Sequence, residues 1–154
     1  MVKSPFYGGY GLVAEDGIPK PAYNAFALLH ALGDARLPVE SDDVLATRRN
    51  DGTLVVAAWN LVEPGAAGAD KAIRRDVKGV AADARVSIRR VDAAHGDTLD
   101  AWKKMGSPKY PTASQVEALQ KIAEVGAAET VAIRDHRLTV TLPPMGLAVI
   151  EIRR

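Results

Sequence analysis

Two carboxylate pairs, Glu15-Asp16 and Asp42-Asp43, are the most chemically suggestive neighbours in this chain of 154 residues. A carboxylate pair can act as acid and base, or acid and nucleophile, only when the two groups face each other across a bond, about 5–5.5 Å or about 6.5–9.5 Å apart. Adjacent residues in polar turns point away from each other, so both pairs read as solvated turn residues. The three histidines, His30, His95 and His136, are scattered, and no two share metal-ligand spacing. No metal is expected. Ser4, Ser41, Ser87, Ser107 and Ser114 lack the strand-turn-helix setting of a nucleophile elbow. Gly9, Gly11 and Ala14 formally match G-x-G-x-x-G/A. That fingerprint cradles a pyrophosphate only between a strand and a helix N-terminus. Here almost nothing precedes it, and Glu15-Asp16-Gly17 and two prolines follow it, so no cofactor is expected. Phe6, Tyr7, Tyr10, Trp59, Trp102 and Tyr110 could stack on sugar faces. Trp59 and Trp102 read as packing residues, which leaves Tyr7 and Tyr10 as the candidate ligand-binding pair.

The composition excludes several classes of partner. Twenty basic residues against nineteen acidic ones give a net charge of +1, too weak a field to attract nucleic acid or an anionic membrane. Cysteine is absent, so disulfide and thiol chemistry are excluded and the redox compartment is left open. No apolar run approaches the roughly 18 residues of a membrane span. MVKSPFYGG has no apolar core of a signal peptide. The expectation is a soluble protein of the bacterial cytoplasm or periplasm.

The elements that must hold these residues fall into two parts, 1–40 and 41–154. In the first, Pro19 and Pro21 open a helix from Ala22 to Leu32. Its stripe is Ala22, Ala25, Phe26 and Leu29, widened by Leu28 and Leu32. Gly33 is placed where a helix end calls for a left-handed residue. DARLPVESDD is a polar connector. In the second part, Asn50-Asp51-Gly52 between β-rich runs predicts a hairpin. Leu54–Val62 is apolar almost throughout and predicts a central strand covered on both faces. KAIRRDVKGVAAD is ambiguous, and ARVSIRRVD reads as a strand with Val86, Ile88 and Arg90 on one face. A helical insertion spans about 97–125. Asp97 caps a short helix carrying Leu99, Trp102 and Met105 and ending at Gly106; these apolar residues are expected to anchor the insertion on the sandwich. Thr112 and Gln115 have capping-box spacing ahead of Val116, Leu119, Ile122 and Ala123. ETVAIRD and RLTVTLPP are joined at Asp135-His136, both tolerant of positive φ. Pro143-Pro144-Met145-Gly146 turns into a last strand. Short strands with regular turn signals predict a mainly β fold, an antiparallel β-sandwich with one helical insertion.

Three stretches add a resemblance. PFYGGYGLVAEDGIPKPAYNAFALLHALG is similar to the segment that ends the catalytic barrel in glycoside hydrolase family 39, the β-xylosidases. AWKKMGSPKYPTASQVEAL resembles that family's insertion in its C-terminal β-sandwich, and LPPMGLAVIEI resembles its closing strand. The resemblance implies a (β/α)₈ barrel followed by a sandwich, and retaining hydrolysis by two glutamates on barrel strands four and seven. Those strands precede the first motif, so neither glutamate has a counterpart here and no catalytic residue is carried over. The implied chain is the last barrel loop and helix (1–40) plus the accessory sandwich (41–154), without catalysis of its own. The glycines would let the loop lie close under neighbouring barrel backbone. The implied partner is the missing barrel portion, or another copy associating through residues 5–33, with xylo-oligosaccharide as a further possible ligand. A stand-alone carbohydrate-binding module and an enzyme with a site formed between copies are the alternatives.

Overall fold

Asp51 and Gly52 turn the chain as their residue types require. Gly52 takes a positive φ of +85°, and the Asp51 carboxylate accepts a 2.9 Å hydrogen bond from the Thr53 amide. Strand β2 (Val44–Arg48) is thereby folded against β3 (Leu54–Trp59), in register from Val44 opposite Ala58 to Arg48 opposite Leu54. The computed structural model describes residues 4–63, 66–81, 84–131, 133 and 136–153. In chain order its other elements are a 3-10 turn (Glu15–Gly17), α1 (Pro21–Leu29), β1 (Ala35–Leu37), β4 (Lys71–Asp76), β5 (Arg85–Val91), α2 (Thr98–Lys104), α3 (Ala113–Ala123), β6 (Glu129–Thr130), β7 (Arg137–Leu142) and β8 (Leu147–Arg153).

The strands form an antiparallel sandwich. Six pair in the order β1-β2-β3-β8-β5-β6, and β4 pairs with β7 to make a small facing sheet. Central β3 explains its own unbroken apolar run. Val56 and Ala58 point into the core between the sheets, beside Ile73, Leu138, Val140, Ile150 and Ile152. Val55 and Ala57 point the other way, into a second cluster with Leu28, Val91 and Val149, and Trp59 packs at its margin. A strand covered on both faces has no polar side to display. Each fully buried Val or Ile contributes on the order of 1.5–3 kcal/mol.

Several expectations are corrected. RLTVTLPP does not form a hairpin with ETVAIRD: β6 pairs with β5 in the large sheet, while β7 pairs with β4 in the small one. His136 does take a positive φ of 55°, at the sheet-to-sheet crossing, and Asp135 lies outside the described residues. β1 belongs to the large sheet, with Ala35 opposite Arg48, so residues 35–37 share that sheet with the strands after residue 41. Helix α1 stops at Leu29, its end tightened by bonds from Ala31 N to Leu28 O and Leu32 N to Leu29 O. Gly33 is outside the left-handed region; its role is close approach, because a Cβ there would lie 2.3 Å from the Arg48 carbonyl oxygen. The buried face of α1 is Asn24 and Leu28, whereas Phe26 is 58% exposed. The polar Asn24, rather than Phe26, shares the inward face with Leu28.

The helical insertion is anchored differently from expectation. Its caps form as read, with Asp97 accepting from Asp100 N and a reciprocal Thr112–Gln115 box. Its polar anchors, however, lie on the N-terminal segment. The Asn24 side-chain amide donates to Gly96 O at 3.3 Å and to Ala123 O at 2.8 Å. The wholly buried Thr98 hydroxyl donates to Pro19 O at 2.7 Å, and Gln120 Nε2 to Asp16 O at 3.0 Å. Trp102 packs its ring on Phe6, centroids 5.4 Å apart, and its indole N–H bonds to Pro108 O. Residues near 5–33 and 96–123 are therefore joined to each other, and α1 seats on the outer face of the large sheet, against β5 and β8. In a double-mutant cycle on Phe6→Ala and Trp102→Ala, read by chemical denaturation, the double variant should lose about 0.5–1.5 kcal/mol less than the sum of the two separate losses.

Candidate functional site

The Tyr7–Tyr10 loop is built on glycines used in two ways. Gly8 and Gly11 take positive φ values of 84° and 100°. Gly9 instead lies flat against the Tyr7 ring, where a Cβ would fall 2.3 Å from a ring carbon. The close approach is thus to a side chain of the same loop. Lys20 Nζ donates to Gly9 O at 2.9 Å and ties the loop to the start of α1. Bonds from Ala14 N to Ile18 O and from Lys20 N to Leu12 O close a tight turn over the buried Ile18. The glycines therefore lead into a closed turn and a 3-10 segment, not into a helix N-terminus.

Tyr7 and Tyr10 do come together. They border one shallow depression of about 150 Å³, with Val13, Glu15 and Lys20 on its other sides. Small-molecule sites commonly measure about 300–1,000 Å³, so this depression can support one ring at most. Tyr10 is fully exposed. Tyr110 is also exposed, with the Lys109 ammonium 5.3 Å from its ring centre. Trp59, packed against the cluster under α1, is withdrawn from any surface row of aromatics.

Among the described residues the buried carboxylates are committed to basic side chains. Glu15 and Asp16 sit exposed in the 3-10 turn. Asp43 binds Lys71 Nζ at 2.7 Å and Arg75 Nη2 at 2.9 Å, and also takes a hydrogen bond from Ser41. It therefore bridges the two sheets at the sandwich edge. Two further carboxylates were not singled out by sequence reasoning. Asp92, buried, accepts from the Ala94 amide and lies 2.7 Å from His95 Nδ1, with His95 Nε2 3.9 Å from Glu129. The Asp-x-x-His spacing within one tight turn was the available signal. Glu151 is 8% exposed at its side chain and meets three guanidinium groups: Arg153 at 2.6 Å, Arg49 at 3.2 Å and Arg89 at 3.3 Å. Arg49 also donates to Ala31 O, which links the end of α1 to the sheet. Among the described residues no group of three or more His, Asp or Glu is placed to hold a metal ion. His30 and His136 are exposed and apart from these clusters.

These ion pairs set an acid limit on stability. The hydrogen bond from Lys71, and then that from Ser41, hold the Asp43 carboxyl below its ordinary range. Burial pushes Glu151 up, but the bonds from Arg153 and Arg49 outweigh it and hold that group low too. A folded-state value below the unfolded one gives stability that is fully present above about pH 4 and is lost as pH falls through the folded value. The melting temperature should be flat from pH 7 to 5 and drop below about pH 4. Asp43→Asn should be less stable at pH 7 and lose less on acidification.

The family model for glycosyl hydrolases family 39 matches residues 1–137. The chain belongs to glycosyl hydrolase family 39. Within the family it is 35% identical to a β-xylosidase of Geobacillus stearothermophilus over 117 residues, 76% of this chain and 23% of that protein. It is 32% identical to a β-xylosidase of Caldicellulosiruptor saccharolyticus over 126 residues, 79% of this chain and 26% of that one. A solved family 39 β-xylosidase from Caulobacter crescentus superposes with a TM-score of 0.75 at 30% identity, covering 99% of this chain and 32% of that structure. A monomeric β-xylosidase from Caulobacter crescentus CB15 superposes at 0.82 with 24% identity, a likeness of fold. This family 39 chain thus spans about a quarter of the length of the curated relatives it matches.

Proposed function

We propose that this chain is the accessory β-sandwich portion of a retaining β-xylosidase-like glycoside hydrolase and turns over no substrate by itself. The observation that carries the reading is the one-quarter match to β-xylosidases, in a chain where the two buried carboxylates among the described residues are held by arginines or histidine. A retaining glycosidase needs two carboxyls facing each other across the substrate bond. The expected partner is the catalytic barrel portion of such an enzyme. It would seat on the outward side of the N-terminal segment, where Tyr10, Leu12, Val13, Tyr23 and Phe26 are exposed together with part of Tyr7. Apolar surface on this scale seeks a partner. Without a barrel, a second copy docking through residues 5–33 is the competing occupant.

A stand-alone carbohydrate-binding module is less well supported, because the Tyr7–Tyr10 depression is small and Trp59 is packed inward. The test is sedimentation of the chain alone and mixed with the separately expressed remainder of a family 39 β-xylosidase. A one-to-one complex is expected, weakened at least tenfold by Tyr10→Ser with Phe26→Gln at unchanged melting temperature. A chain that binds neither the barrel portion nor itself, or whose complex ignores both changes, refutes the docking surface.

A further inference from the structure

Away from α1, the outer face of the large sheet carries charge instead of apolar residues. Register places Arg85 opposite Arg153 and Ser87 opposite Glu151, and Arg89 follows on the same face of β5. Segment 126–131 rises beside this face and leaves a groove of about 720 Å³ lined by Arg85, Ser87, Arg89, Thr130, Glu151 and Arg153. That volume lies within the range of small-molecule sites. Three guanidinium groups and one carboxylate line it, and the carboxylate is further shared with Arg49. A chain with a net charge of only +1 therefore concentrates a local cationic excess here.

The carboxylate does not use up that excess. Each guanidinium offers five N–H donors. Arg153, Arg89 and Arg49 each give one nitrogen to Glu151, and Arg85 pairs with no carboxylate among the described residues. Glu151 instead acts as a buried brace. It engages Arg89 and Arg153, so their remaining donors are oriented without a ligand present. Planar guanidinium forks match a carboxylate or a phosphate in bidentate fashion. The hydroxyls of Ser87 and Thr130 on the same walls suit a ligand that carries hydroxyl groups.

We propose that this groove is an oxyanion-binding site for a small sugar acid, with Arg85, Arg89 and Arg153 as the anion ligands and Glu151 as their positioning residue. It is separate from the aromatic face on which the barrel reading rests. The carboxylate of a uronic acid and free phosphate share the chemistry, and titration distinguishes them. The whole chain, labelled with ¹⁵N, is titrated with glucuronate, inorganic phosphate and neutral xylose, following backbone amides and arginine Nε–H signals. Saturable shifts confined to residues 85–89, 129–131 and 151–153 are expected with glucuronate and, more weakly, with phosphate, but not with xylose. Added salt should weaken them. Phosphate binding more tightly than glucuronate keeps the oxyanion site and reassigns its natural ligand. Arg85→Gln leaves every bond to Glu151 in place and should weaken binding about threefold or more; adding Arg153→Ala should bring the loss to about tenfold. Absence of saturable shifts with both anions, equal shifts with xylose, or shifts that survive Arg85→Gln unchanged would overturn the site.

Discussion

Replacing Asn24 by Ala is expected to cost the folded chain about 3 kcal/mol, measured by urea denaturation. Asn24 is buried, and its amide nitrogen serves two carbonyls that are 72 and 99 residues away in sequence, those of Gly96 and Ala123. Each net hydrogen bond is worth about 0.5–1.5 kcal/mol, and each carbonyl left buried without a donor costs about 1–3 kcal/mol. Water that enters the space left by the side chain limits the loss, hence the intermediate figure. Asn24→Asp is the sharper control. It keeps the shape but sets a carboxylate against two carbonyl oxygens, so its folded-state pKa must rise above the unfolded value. The variant should be as damaged as Asn24→Ala at pH 7 and should recover part of the difference as pH is lowered. If both variants are within about 0.5 kcal/mol of wild type, α1 and the insertion are not joined through this residue.

Gly33→Ala is expected to lose at least about 2–3 kcal/mol, more than Gly52→Ala, even though only Gly52 has a positive φ. At Gly52 the space for a Cβ is open, and the cost is that of a left-handed Ala, about 1–2 kcal/mol. At Gly33 the new carbon would sit 2.3 Å from Arg48 O and 2.6 Å from Arg49 N. Those are backbone atoms of β2 and the turn after it, which cannot swing aside, and overpacking of this kind strains the whole joint. The Gly33 amide also donates to the Thr47 hydroxyl at 2.8 Å, which fixes the same crossing. The reverse ranking in thermal or chemical denaturation would show that the chain after α1 is held only loosely to the sheet.

These two residues also mark the limit of what was legible in the sequence. Features set within a few residues could be read directly. The Asp97 and Thr112–Gln115 caps, the Asp51-Gly52 turn and the two-faced run of β3 all form as their patterns demand. Features set by distant partners could not. Nothing local to RLTVTL says that it pairs with Lys71–Asp76 rather than with the preceding strand. Nothing local to Asn24 makes a polar residue the inward one on its helix. Nothing local to Glu151 says that β8 lies inside the sheet between β3 and β5, or that its carboxylate is buried among arginines from three strands or turns. Of the candidate site, Tyr7 and Tyr10 were legible as exposed aromatics of one glycine-rich loop; the arginine groove and the Asp92–His95 contact depend on register and turn geometry.

The central proposal, that this family 39 chain turns over no substrate by itself, is tested most directly by incubating the purified protein with an aryl β-xyloside and measuring release of the aryl group. The account predicts a rate indistinguishable from buffer. Turnover well above background, abolished by changing a single carboxylate of this chain, would contradict it.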